Sequence, residues 1–143
     1  MPEVVTDPEN GLLLKQMRME AGADVNGYDE YNDDALSFDI GNDDTVVVDY
    51  LLDNGADLSQ RDNDENYGCR PIHRVATVEM LQFLLERGAS LEETCTYGRT
   101  LLHFAAEVDN ADLIRYILEN ELLDPAATDG GGETAYDLPL IQI

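Results

Sequence analysis

Apolar residues fall along this chain in short groups of helical spacing, each closed at the same interval. Val48, Leu51 and Leu52 stand at i, i+3 and i+4, as do Leu81, Leu84 and Leu85, and again Ile114, Ile117 and Leu118. Such spacing sets three apolar side chains on one face of a helix and predicts three amphipathic helices. Four segments that begin at Met19, Leu52, Leu85 and Leu118 then align, and their fourth positions, Gly22, Gly55, Gly88 and Glu121, recur at equal steps. Glycine just past the last apolar position is a helix-ending signal, because it enters the left-handed conformation cheaply. Glu121 lacks that freedom, so the last long helix is expected to end differently.

A second motif precedes each of these helices. Its clearest copy runs from Gly98 to Ala106, Gly-Arg-Thr-Leu-Leu-His-Phe-Ala-Ala, and another runs from Gly68 to Ala76. A degenerate copy spans Asn32 to Ile40 and a half-copy spans Gly132 to Leu138. Together these segments resemble the ankyrin repeat, with its G-x-T-P-L-H-x-A-A opening and L-L-x-x-G-A-D close. The resemblance covers roughly residues 7–139. It implies an all-α solenoid of stacked helix pairs with hairpin-like loops, forming a single domain over 1–143. Its expected parts are an N-terminal cap at 7–25, repeats at about 26–58, 59–91 and 92–124, and a C-terminal cap at 125–143. Asp7-Pro8 suits the start of the capping helix.

Two repeats depart from the pattern. From His73 to Leu84 there are 11 steps, against 14 from His103 to Ile117, so the middle repeat is shortened between its helices. A compensating insertion precedes it, within Gln60 to Tyr67. A protruding polar finger and a cramped helix pair are the expectation. In the first repeat Asp39 stands where the motif wants a small buried alanine, so its helix is expected to be shifted or short.

Charge narrows the function classes. Asp and Glu total 31 against 8 Lys and Arg, for a formal net charge of -23, and Lys15 is the only lysine. Nucleic acid and anionic membranes need a basic footprint, so neither is an expected partner. The N-terminal residues carry no signal-peptide pattern and no apolar run is long enough to cross a bilayer, which gives a cytoplasmic expectation with reduced thiols at Cys69 and Cys95.

Chemistry at the remaining candidates is weak. His73 and His103 both occupy the histidine place of the ankyrin motif, where the resemblance implies a structural role, tying loops of adjacent repeats. Cys69, His73, Cys95 and His103 do not have a standard zinc spacing. Asp62 to Gly68 begins like a calcium loop but puts Tyr67 where the turn needs glycine and His73 where a bidentate glutamate belongs. Gly130-Gly131-Gly132 has no phosphate-binding signature and is expected to be a turn. No nucleophile–base arrangement is present, so the expectation is a non-enzyme without metal or cofactor.

The resemblance implies that partners dock on a concave surface built from finger tips and the exposed sides of first helices. Those positions hold Tyr28, Asp29, Glu30 and Tyr31 on the first finger, Asp62, Asp64, Glu65 and Tyr67 on the second, and Glu92, Glu93 and Tyr97 on the third. First helices add Phe38, Asp39, Arg74, Phe104 and Glu107. Tyrosine supplies rigid contact area and carboxylates pair with arginine, a combination suited to another protein with a basic surface. The expectation is a monomer that binds such a protein, in its sharpest form an inhibitor or immunity protein of a toxin such as a nuclease. The alternative is an acidic scaffold or adaptor whose charge reflects adaptation to high salt, with an unrelated partner.

Overall fold

The computed structural model describes residues 11–28, 34–61 and 68–137. Six α-helices occur among them: α1 (Gly11–Glu20), α2 (Ala35–Gly41), α3 (Thr45–Asp53), α4 (Val78–Glu86), α5 (Leu101–Glu107) and α6 (Ala111–Glu119). Two 3-10 turns, Pro71–Arg74 and Ala135–Asp137, complete the order, and no strand is formed by the described residues. The all-α expectation therefore holds.

Each second helix starts on a polar cap at the same phase. Asp44, Thr77 and Asn110 stand at equal steps along the chain, and their side-chain oxygens accept the backbone N–H of Val47 (3.2 Å), Met80 (3.1 Å) and Leu113 (3.3 Å). Three residue types thus do one job, satisfying an amide the first turn leaves open. The far ends also coincide. Gly55 and Gly88 turn the chain at φ 94° and 93°. The next amide then reaches back to the helix, from Ala56 to the Leu51 carbonyl (2.9 Å) and from Ala89 to that of Leu84 (3.0 Å). The expectation for Glu121 is overturned: it adopts φ 51°, and Leu122 N–H reaches the Ile117 carbonyl at 3.0 Å. The repeat geometry imposes the left-handed turn on a residue that disfavours it.

The degenerate first repeat is likewise in phase. α2 and α5 are both 7 residues long, and Leu101 follows Ala35 by two whole repeats. The helix carrying Asp39 is neither shifted nor short. The middle repeat is the altered one. Its first helix is reduced to the four-residue turn Pro71–Arg74, which fits the shortening read from the sequence. The compensating finger residues 62–67 lie outside the described residues, as do Asp7-Pro8.

Packing runs between neighbours. α2 contacts α3 and the Pro71–Arg74 turn, α5 contacts that turn, α6 and the Ala135–Asp137 turn, and α4 contacts α6. Val47, Val48 and Leu51 of α3, Met80, Leu81 and Leu84 of α4, and Leu113 and Ile117 of α6 are buried in one core with Leu36, Ile40, Ile72, Leu101 and Leu102 of the first helices. Each such side chain stabilises the stack by roughly 1.5–3 kcal/mol.

Candidate partner-binding surface

The two histidines fix the inner edge of the stack. Backbone N–H groups of Arg70 and Thr100 donate to Nδ1 of His73 (3.0 Å) and His103 (3.1 Å). Each Nδ1 is therefore the unprotonated nitrogen, and each Nε2–H donates onward to a carbonyl of the following finger. His73 reaches Glu93 at 3.0 Å and His103 reaches Glu133 at 3.0 Å. The structural role inferred from the repeat is what the geometry shows. Burial pushes the His73 pKa below its ordinary value, partly offset by the bond to Glu93. Its ring also leans on Phe104, centroid to centroid 5.4 Å.

Cations occupy the seams between repeats. Arg87, at the end of α4, pairs with Asp49 and with Asp53 (2.8 Å), both on α3. Arg99 pairs with Glu107 on its own repeat and with Asp129 beyond it (3.3 Å). Arg70 lies 3.6 Å from Glu93 and donates to the Ser59 carbonyl. Arg61 donates to the Gly68 carbonyl and to Thr96 Oγ1, both at 3.3 Å. Arg115 pairs with Asp112, and Arg18 and Arg74 are also engaged within the chain. Each arginine among the described residues is thus used internally. At Asp129 desolvation raises the pKa, but amides of Glu133 and Gly131 and the Arg99 guanidinium more than offset it and hold the carboxyl below its usual range.

Fingers are laced by contacts that reach from one repeat to the next. Tyr28 Oη donates to the Arg61 carbonyl (2.7 Å), Gln60 Nε2 to the Asn26 carbonyl (2.7 Å) and Ser59 Oγ to Glu93 Oε1 (2.7 Å). Tyr97 lies over the glycine turn. A Cβ on Gly131 would come within 2.7 Å of its hydroxyl, and one on Gly130 within 3.0 Å of its carbonyl oxygen. The triple glycine therefore serves close approach as well as turning.

The expected contact residues divide into four groups. Tyr28, Glu92 and Tyr97 are exposed, and Phe38, Arg74 and Phe104 are partly so. Glu93 and Glu107 are partly buried and already paired to arginines. Asp39 requires correction: it is only 4% exposed. It occupies the core position that Ala105 holds two repeats later, so it has no open face to offer. Asp29, Glu30, Tyr31, Asp62, Asp64, Glu65 and Tyr67 lie outside the described residues.

Cys69 and Cys95 are buried, and neither is in a disulfide. Among the described residues no cluster of three or more His, Cys, Asp or Glu side chains is arranged to hold a metal ion, and no helix is long and apolar enough to cross a membrane. Sequence reasoning missed the arginine clamps. A signal existed, since Asp49 and Asp53 are one helical turn apart on α3 and Arg87 follows Asp53 about one repeat later.

Comparison with known proteins agrees with the geometry. A family described as ankyrin repeats (three copies) matches residues 42–129, well over half of the chain. The transient receptor potential cation channel subfamily A member 1 homolog of Caenorhabditis elegans is 33% identical over 99 residues, which is 68% of this chain and 8% of that protein. This chain therefore spans only a small fraction of that relative's length. Repeats of this kind are protein–protein interaction modules, and the chain belongs to the ankyrin-repeat family.

Proposed function

We propose that the chain binds a basic protein across its finger tips and first helices, without catalysing a reaction. The observation that carries this is the placement of charge. Every arginine among the described residues is engaged inside the chain, while Glu92 and the tyrosines Tyr28 and Tyr97 remain exposed on the fingers. The surplus of acids is therefore not neutralised from within, and it draws cationic surfaces by long-range attraction. A sharper form of the reading is an inhibitor or immunity protein that covers the basic active site of a toxin such as a nuclease. Its support is charge, since a nuclease site must itself attract phosphates.

The test is capture on the immobilised chain at low salt, with mass-spectrometric identification and elution by KCl. A basic protein should be retained, and Glu92→Lys combined with Tyr97→Ala should weaken it by about tenfold. An acidic partner, or retention unaffected by salt and by that double change, overturns the reading. Co-expression with basic secreted nucleases tests the sharper form, which fails if none forms a complex.

A further inference from the structure

The shortened middle repeat leaves a gap in the row of first helices. α5 runs 7 residues, from Leu101 to Glu107, but the Pro71–Arg74 turn beside it stops after four. Where a last helical turn would have packed, a notch of about 330 Å³ opens against α5. His73, Val75, Ala76, Phe104, Ala105 and Val108 line it, together with Arg74, Glu107 and Asn110. Val108 is 46% exposed, so that part of the wall is open to solvent.

The notch is apolar within and mainly acidic at its edge. Asp109 sits between two lining residues, Val108 and Asn110. Asp43 accepts a hydrogen bond (2.7 Å) from Thr77, the residue next in sequence to the lining Ala76. Glu107 is held by Arg99, and Arg74 is engaged within the chain. Its volume is at the lower end of ligand clefts, which run from about 300 to 1,000 Å³, so it suits a single side chain better than a cofactor.

We infer that the notch is an anchor pocket for one apolar side chain, of leucine size, carried on a basic segment of the partner. The inference rests on the proposed basic partner and adds the point where that partner is gripped. An apolar floor supplies burial, while Asp43 and Asp109, exposed and next to the lining residues, attract the flanking cations. Carboxylates near the opening oppose an acidic segment of the same shape.

Two peptides separate the claims: a lysine- and arginine-rich one with a central leucine, and the same peptide with glycine at that place. The expected result at low salt is binding about tenfold tighter for the leucine peptide, with NMR shifts at Val75, Ala76, Phe104 and Val108. Val108→Ser removes an exposed wall without adding charge and should bring the leucine peptide down to the glycine level. Inserting three alanines between Arg74 and Val75 should fill the notch and do the same. Equal affinity of both peptides, or shifts confined to acidic loops, overturns the anchor while leaving the basic partner standing. Failure of both peptides to bind overturns both.

Discussion

At the scale of single residues, the repeat forces some side chains into places they do not favour. Glu121 holds φ 51° at the site where Gly55 and Gly88 turn. A left-handed non-glycine residue costs about 1–2 kcal/mol. Glu121→Gly should therefore raise stability by about 1 kcal/mol, whereas Gly88→Ala should lower it by a similar amount, both measured by urea denaturation. Asp34 is a second such residue. It caps α2 through Oδ2, but its Oδ1 is buried with no hydrogen-bond partner. Desolvation raises its pKa above 3.8, against the opposing pull of the Ser37 bonds and the Arg74 charge. A raised folded pKa gives stability below the unfolded value and loses it as pH climbs through the folded one. Asp34→Asn should accordingly stabilise the chain at pH 7 and change little at pH 3. His73 has the opposite sign. Its lowered folded pKa means that the contribution is complete above about 6.5 and fades as pH falls toward the folded value. His73→Gln should destabilise the protein at pH 7.5 and shrink its loss of stability between pH 7.5 and 5.

Elements show how much the sequence discloses. Helices α3, α4 and α6 are legible because their leucine, valine and isoleucine positions keep helical spacing and end on a fixed phase. α2 was obscured by Asp39, which breaks the apolar pattern at a position that depth in the stack still buries. Burial there is decided by neighbours in the adjoining repeat, and a local reading cannot weigh them. The clamps were hidden for the same reason: Arg87 meets Asp49 and Asp53 only once α4 lies beside α3. Exposed pairs of this kind are worth roughly 0.2–1 kcal/mol each. Removing the cation also leaves two carboxylates at i, i+4 repelling one another. Arg87→Gln should lower stability by about 1 kcal/mol at low salt, with the loss reduced in about 1 M KCl. An effect of equal size at both salt concentrations would assign Arg87 a packing role instead.

For the whole molecule, the net charge of -23 sets the response to ionic strength. Self-repulsion opposes the compact stack and is screened as the Debye length falls from about 10 Å at 0.1 M to about 3 Å at 1 M. Thermal melts should shift upward with KCl. A midpoint that is already well formed at low salt favours charge kept for binding, and a chain that needs molar salt to fold favours the adaptation alternative. The middle repeat carries one more consequence. Its helix side has lost as much chain as its finger side has gained, so Gly55 and Gly88 keep the same separation as Gly22 and Gly55. Period and relief are thus separable properties of this architecture. Material moved within one unit reshapes the local contour, sinking it in one place, while every cap and clamp in the units on either side stays in step.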